Sequence, residues 1–186
     1  MNRFARTPGL LIGTLFLCVS SLVAIGNSQT RSEAAGKLLQ VKGTVQVNGT
    51  NALSGAPIAS GSSITTRQNS SAVVSLGKLG RVEVLPDTTL QLDFSAASVS
   101  VSMLDAGRVR ISSSSNVTAS VRTNDGSVVS TGEQRNEFVV DTKCGNTFVS
   151  VAKGSVELRA GSAVKQIAAG SQDTAGTATP GCTSAP

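Results

Sequence analysis

The chain has 186 residues and a formal net charge of +5, and it contains five Phe but no Trp, Tyr or His. This length suits one domain with a buried core, which must be largely aliphatic because aromatic residues are so few. The absence of His removes the commonest general base and metal ligand, so no enzyme, metal or cofactor is expected. The basic residues are scattered and lack stacking aromatics, which disfavours a nucleic-acid partner.

Residues 1–26 have the composition of a secretory signal. Two arginines precede an apolar run at residues 10–25, and small residues then offer a cleavage site before Asn27. An uncleaved anchor is the alternative, because the run is long for a cleaved signal and short for a transmembrane helix. We therefore expect an exported protein, periplasmic or extracellular, that contacts a membrane only through a retained signal. Residues 27–36 are polar and predict a flexible leader.

Residues 37–169 alternate apolar and polar positions in short segments separated by turn residues, which is the pattern of strands with one buried face. About a dozen short strands are predicted and no substantial helix. They are residues 41–47, 61–66, 72–76, 81–85, 89–94, 99–103, 107–111, 117–123, 127–129, 138–140, 148–151, 156–158 and 163–167. The expected fold class is all-β, with two packed antiparallel sheets or a flattened roll similar to a jelly roll.

Hairpin turns are predicted at three places in this region. Asn48-Gly49 suits a tight turn, residues 77–80 form a glycine-bounded connection, and residues 124–126 read Asn-Asp-Gly. Turn geometry explains Asp125 better than calcium binding does.

One phrase, Gly-x-Val-x-(Val/Ile/Leu), occurs three times, at residues 43–47, 107–111 and 154–158. Each copy has a glycine turn followed by apolar residues at every second position. The unequal spacing excludes a solenoid with a fixed repeat. The phrase predicts that several hairpins begin in the same way, and that residues 99–103 pair with residues 107–111.

The segment from residue 170 to residue 186 is rich in Gly, Ala, Thr and Ser and predicts a tail. Cys144 and Cys182 are the two cysteines that remain after the signal. In an oxidising compartment they are expected to form a disulfide that tethers this tail to the domain, with two free thiols as the alternative.

Two carboxylate pairs are the candidates for catalysis. Glu137 and Asp141 lie four residues apart in a strand pattern and so share a face, and Asp87 and Asp93 form a similar pair. Solvent-facing polar positions on half-buried strands explain all four residues better. We therefore predict no catalytic residue.

Three arginines are candidates for contact with an anionic partner. Arg108 and Arg110 alternate outward from one predicted strand, and Arg122 is the third residue that could line the same surface. A solvated strand face is the alternative interpretation.

The order of the motifs resembles the FecR-like domain, known from the periplasmic part of the transmembrane sensors that regulate iron-uptake sigma factors. The matching phrases are Gly-x-Val-x-Val, Gly-x-x-Ile-x-Thr, Ser-x-Ala-x-Val, a hairpin into Val-Glu-Val-Leu-Pro, Leu-x-x-Gly-x-Val, Val-x-Thr and a final Gly-x-Val. They fall at residues 43–47, 61–66, 70–74, 82–86, 104–109, 121–123 and 154–156. The resemblance implies contact with a protein in the cell envelope.

The chain departs from a full sensor in one respect that concerns function. Only nine residues precede the apolar run, so we expect no anti-sigma segment and no direct binding of a sigma factor. The function expected is a stand-alone, exported, non-enzymatic module that binds an envelope protein and is linked to signalling. The alternative is a structural protein that binds carbohydrate or cell wall, although only Phe94, Phe138 and Phe148 could stack on a sugar. A hydrolase that uses paired carboxylates as catalytic groups is the third hypothesis.

Replacement of Cys182 by Ser should lower the melting temperature of the oxidised protein. A disulfide that closes the loop from Cys144 to Cys182 stabilises the fold by roughly 4 kcal/mol at most in the chain-entropy model. Thermal melts with and without reductant measure the effect, and the two proteins should melt alike once reduced. An equal melting temperature under oxidising conditions would count against the bond.

Overall fold

The structure is a computed structural model that describes residues 36–103, 105–177 and 179–180. Within these residues the chain forms two β-sheets packed around one aliphatic core, which confirms the all-β class. The predicted signal and nearly all of the predicted leader lie outside the described residues. No helix in the described part of the chain is long and apolar enough to cross a membrane.

Seventeen strands occur in the described residues. In chain order they are β1 (Gly36–Lys42), β2 (Val45–Val47), β3 (Thr50–Asn51), β4 (Pro57–Ile58), β5 (Ser62–Thr66), β6 (Ser71–Ser75), β7 (Gly80–Val84), β8 (Thr88–Phe94), β9 (Ser98–Met103), β10 (Gly107–Ser113), β11 (Thr118–Arg122), β12 (Ser127–Ser130), β13 (Asn136–Lys143), β14 (Asn146–Lys153), β15 (Ser155–Ala160), β16 (Ala163–Ala168) and β17 (Gln172–Gly176). A single 3₁₀ turn at Gly77–Leu79 joins β6 to β7.

The strands divide into two sheets between which the chain passes repeatedly. Sheet A has eight strands in the order β17-β14-β13-β10-β7-β6-β1-β4. Sheet B has nine, in the order β16-β15-β12-β11-β9-β8-β5-β2-β3. The count exceeds the predicted dozen for three reasons. The single strand predicted at residues 41–47 is divided at Gly43 between β1 and β2. In addition, β3 and β4 have two residues each, too few for a periodic pattern to be recognised, and β17 lies in the predicted tail.

The core forms because alternate residues of each strand face the opposite sheet. In β9, Val99, Val101 and Met103 are buried while the serines between them are half-buried on the outer side. Burial of such a side chain stabilises the fold by about 1.5–3 kcal/mol. Phe138, which is 1% exposed, is the largest of the fully buried side chains.

The three copies of the Gly-x-Val phrase lie where the chain crosses from one sheet to the other. Gly43 separates β1 in sheet A from β2 in sheet B, and Gly154 separates β14 in sheet A from β15 in sheet B. Gly107 begins β10 in sheet A after β9 in sheet B. The prediction that the phrase begins hairpins is confirmed for two copies, because β2 pairs with β3 and β15 pairs with β16. It is wrong for the copy at Gly107, because β10 pairs with β7 and β13. The prediction that residues 99–103 pair with residues 107–111 is therefore also wrong. Strand period alone carries no information about which sheet a strand joins.

A buried polar side chain closes each of these three crossings. The backbone N–H that follows the glycine donates to this side chain in every copy: Thr44 to Ser70 Oγ at 2.9 Å, Arg108 to Thr88 Oγ1 at 2.8 Å, and Ser155 to Asn136 Oδ1 at 3.0 Å. The three acceptor residues are 2%, 1% and 0% exposed. We call them the crossing acceptors.

Glycine is needed at the crossings because the acceptors approach so closely. A Cβ on Gly43 or Gly154 would overlap Ser70 or Asn136, and one on Gly107 would lie 2.9 Å from the methyl carbon of Thr88. Gly43 and Gly154 also have φ values of 71° and 80°, which favour glycine.

One strand pair is parallel, although an antiparallel fold was predicted. β11 runs parallel to β9 in sheet B. Between them the chain crosses to sheet A as β10 and then returns, so the two strands enter sheet B in the same direction. A prediction based on hairpins cannot anticipate that the chain passes through the other sheet between two neighbouring strands.

The three predicted hairpin turns are confirmed. Asn48 and Gly49 have φ values of 51° and 78°, as a tight turn with two left-handed residues requires, and they join β2 to β3. The glycine-bounded connection joins the antiparallel pair β6 and β7, and residues 124–126 join β11 to β12.

The predicted tail takes part in sheet A. Gln172–Gly176 forms β17 and pairs antiparallel with β14. Beyond it, the N–H of Thr179 donates to the carbonyl of Cys144 at 2.7 Å. The chain therefore runs past Cys144 three residues before Cys182. Cys182 itself lies outside the described residues, so the disulfide stays a prediction.

Replacement of Thr88 by Val should destabilise the fold by about 1–3 kcal/mol. Valine keeps the shape of the side chain but leaves the buried N–H of Arg108 without its acceptor. Thr89→Val is the matched control, because Thr89 is exposed in the same strand and should change stability by less than about 0.5 kcal/mol. Urea unfolding of both variants measures the difference. Equal free energies of unfolding would contradict a stabilising role for this acceptor.

Candidate functional site

Two of the predicted partner-contact residues lie on the outer face of sheet A. Because Val109 and Ile111 are buried at 0% and 1% exposure, the alternate residues Arg108 and Arg110 of β10 point away from the core. The neighbouring strands place carboxylates beside them, since Arg110 lies opposite Glu83 of β7 and Arg108 lies opposite Asp141 of β13.

Each of these arginines has a carboxylate partner, but the two ion pairs differ. Arg110 Nη1 lies 2.9 Å from Glu83 Oε2, and the two side chains are 46% and 29% exposed. Arg108 Nε lies 3.7 Å from Asp141 Oδ2, which is an ion-pair distance but too long for a hydrogen bond. The exposed pair contributes little to stability and remains accessible to a partner.

The outer side of sheet A carries charges of both signs over four neighbouring strands. We define this charged face by seven residues, which are Arg81, Glu83, Arg108, Arg110, Glu137, Asp141 and Lys153. Glu137 Oε2 lies 3.6 Å from Lys153 Nζ, which adds a third ion pair. The face is therefore a mosaic of cations and anions rather than a basic stripe.

An open cavity of about 340 Å³ lies where the charged face meets the end of sheet A. It is bounded by the start of β10, the end of β13 and the turn after β7, and its lining includes Pro86, Arg108, Asp141 and Lys143. The side chain of Asp141 is only 8% exposed there. Burial raises the pKa of Asp141 above the ordinary 3.8, while the positive charges of Arg108 and Lys143 partly oppose the rise.

Arg108 presents an unused donor at this cavity. Its Nε is buried and makes no hydrogen bond within the described structure. A buried guanidinium nitrogen without an acceptor is costly, so an acceptor from a bound partner would satisfy it. The sequence indicated Arg108 through strand alternation but carried no signal for the cavity, which forms from residues far apart in the chain.

Arg122 does not share this surface. It is the last residue of β11, exposed on the outer side of sheet B, so the core separates it from Arg108 and Arg110. The expectation that the three arginines line one surface is wrong, because the alternation that directs each outward does not specify the sheet.

The two carboxylate pairs do not form sites. Glu137 and Asp141 are four residues apart along β13, roughly 14 Å at about 3.4 Å per residue, whereas glycosidase carboxyls lie about 5–10 Å apart. Each also has its own cation. Asp87 precedes β8 and Asp93 lies near its other end, so these two are separated as well.

Asp125 stabilises the turn in which it lies. Its Oδ2 accepts a hydrogen bond from Thr147 Oγ1 at 3.3 Å, which ties the β11–β12 turn to β14. No group of three or more potential metal-ligating side chains occurs among the described residues.

The outer side of sheet B is chemically different. Its central strands β5, β8, β9 and β11 present mainly hydroxyl and amide groups, with Asp93 of β8 and Arg122 of β11 as charged exceptions. Two hydroxyl contacts of 3.2 Å join neighbouring strands. We define this neutral face by Ser63, Thr65, Thr89, Gln91, Ser100, Ser102 and Ser120. Phe94 and Phe138 are buried in the core, and the half-buried Phe148 lies in sheet A. The neutral face therefore lacks an aromatic platform.

Comparison with known proteins identifies the fold. No family model matches this chain, and no curated protein sequence does. Two crystal structures of a "putative anti-sigma factor" from Parabacteroides distasonis ATCC 8503, determined at 1.65 and 2.50 Å, share its architecture with a TM-score of 0.52. Each is 20% identical in sequence, and the match covers 60% of this chain and 53% of theirs. The chain thus spans about half the length of these structures, and the likeness shows a common fold.

The melting temperature of the Asp141→Asn variant minus that of the wild type should be larger at pH 7 than at pH 3. Because the pKa of Asp141 is raised in the folded chain, its protonation contributes stability below pH 3.8 that is lost as pH rises through the folded pKa. Asparagine does not ionise and so avoids this loss. Thermal melts across this range measure the difference.

An independent variant separates the causes of the pKa shift. Arg108→Gln removes a positive charge that lowers the pKa of Asp141, so an NMR titration of this carboxyl should show a still higher pKa. A pKa that falls in Arg108→Gln would contradict the assigned cause.

Proposed function

We propose that this protein is an exported, non-enzymatic, FecR-like module of the bacterial cell envelope that binds another envelope protein and is linked to signalling. The charged face of sheet A is the proposed contact surface. Arg108 and Arg110 are its central residues, while Arg122 lies outside it.

The observation that carries this proposal is the arrangement of charge along β10. The side chains of Arg110 and its partner Glu83 are 46% and 29% exposed, so both can form new ion pairs with a bound protein without unfolding of the sheet. Arg108 offers a buried donor at the adjoining cavity. A mosaic of charges of this kind favours selective recognition of a complementary surface, since mismatched charges repel.

Two further observations support the proposal. The fold is shared with structures described as a putative anti-sigma factor, which fits the resemblance of the motifs to the sensor domain of that signalling class. In addition, the two carboxylate pairs that were the best candidates for catalysis are separated in the fold. Binding therefore accounts for the described surface better than a reaction does.

The neutral face favours a second candidate function, the binding of carbohydrate or cell wall. An array of hydroxyl and amide groups can exchange hydrogen bonds with a glycan. This function ranks second because glycan sites gain much of their affinity from aromatic stacking. Sedimentation with isolated cell wall tests it, and the Gln91→Lys variant should weaken such sedimentation.

A photoreactive phenylalanine analogue in place of Val139 should capture one dominant envelope protein in intact cells. Val139 lies opposite Arg110 on β13 and is half-buried at the centre of the charged face. The same analogue in place of Gln91, which is exposed on the neutral face, is the control. Mass spectrometry of the crosslinked species identifies the partner.

A charge exchange provides the decisive variant. Glu83→Arg combined with Arg110→Glu restores the ion pair in reverse, so stability should stay near that of the wild type, while crosslinking should fall about tenfold or more. Crosslinking that survives the exchange, or that occurs equally from Gln91, would reject the charged face as the contact surface. Recovery of wall material alone would favour the second function.

A further inference from the structure

A second cavity lies at the other end of the strands that form the first one. Its volume is about 410 Å³, within the roughly 300–1,000 Å³ that small-molecule sites occupy. The start of β7, the end of β10, the start of β13 and the end of β14 bound it. The sequence predicted no ligand site in this region, although the predicted turn at residues 77–80 and Glu137 contribute to the lining.

A buried hydroxyl without a partner lines this cavity. Ser113 takes the last inward position of β10 and is 2% exposed, and its Oγ makes no hydrogen bond within the described structure. A buried hydroxyl of this kind costs stability unless a ligand engages it. Ser112 and Ser114 line the same cavity, and Ser112 is on the outward side of β10.

The lining carries more positive than negative charge. Arg81, Arg135 and Lys153 contribute three cations, while Glu137 contributes one carboxylate and pairs with Lys153. Neither Arg81 nor Arg135 forms an ion pair with any described residue. The register places Arg81 directly opposite Ser112, so the two residues share the outer side of the sheet.

We propose that this cavity binds a phosphate group, either as the free ion or as a monoester of an organic molecule. Guanidinium groups bind phosphate oxygens in a bidentate manner, and serine hydroxyls supply further donors. A tetrahedral anion with several acceptor oxygens matches a cavity lined by two unpaired arginines and by serines. Arg81, Glu137 and Lys153 belong both to the charged face and to this cavity, whereas Arg135 and Ser113 lie outside the charged face. Variants of Arg135 and Ser113 therefore test the phosphate site separately from the protein-binding function.

Equilibrium dialysis of the purified full chain against labelled inorganic phosphate in dilute chloride buffer tests the site. We expect saturable binding of one phosphate per chain that weakens as salt is added. Arg135→Ala should weaken the affinity about tenfold, because a charge-assisted hydrogen bond is lost. Arg67→Ala is the matched control, since Arg67 is exposed, forms no ion pair with a described residue and does not line the cavity.

The Ser113→Ala variant distinguishes a ligand contact from a structural residue. Its phosphate affinity should fall severalfold, while its melting temperature should stay equal to that of the wild type or rise, because the hydroxyl has no partner in the fold. The absence of saturable binding at millimolar phosphate overturns the proposal. So does an affinity that is unchanged in both Arg135→Ala and Ser113→Ala.

Vesicles distinguish the two sources of phosphate. Cosedimentation with phosphatidylcholine vesicles that contain phosphatidic acid, but not with phosphatidylcholine alone, together with competition by inorganic phosphate, assigns the site to a lipid headgroup. Saturable phosphate binding without cosedimentation assigns it to a soluble phosphate compound. Cosedimentation that Arg135→Ala leaves unchanged contradicts the site as the place of contact.

Discussion

The hydrogen bond that closes the sheet crossing at each of the three Gly-x-Val phrases is the interaction on which much of the structure depends. Two sheets can share one core only if the chain passes between them without leaving buried N–H groups unpaired. Ser70, Thr88 and Asn136 satisfy this condition at three crossings, each through the N–H that follows a glycine. The glycines admit the acceptors because no Cβ stands in the way.

Each closed crossing sets the orientation of the strand that follows, and the functional surfaces derive from that orientation. The second residue after each glycine is a buried valine, namely Val45, Val109 and Val156. Once Val109 faces inward, Arg108 and Arg110 must face outward. The two ends of β10 then form parts of the two cavities, one beside Arg108 and one beside Ser113.

The two outer faces differ in a way that separates the proposed functions. Sheet A presents paired charges of both signs with a cavity at each end, whereas the centre of sheet B presents hydroxyl and amide groups. Electrostatic recognition of a protein and of a phosphate group suits the first face. The second face suits hydrogen bonding to a neutral ligand. One aliphatic core supports both, because each strand contributes alternate residues to it.

The sequence by itself determined most of the longer strands, the three hairpin turns and the outward direction of Arg108 and Arg110, because a period of two residues and turn chemistry are local properties. Only the tertiary structure decided which sheet each strand joins. Alternation is the same in either sheet, so Arg122 was grouped wrongly with the other arginines. The crossing acceptors also lay beyond sequence reasoning, since they are 26, 20 and 19 residues from their donors. The cavities have the same origin, because their walls come from strands that meet only when both sheets have formed.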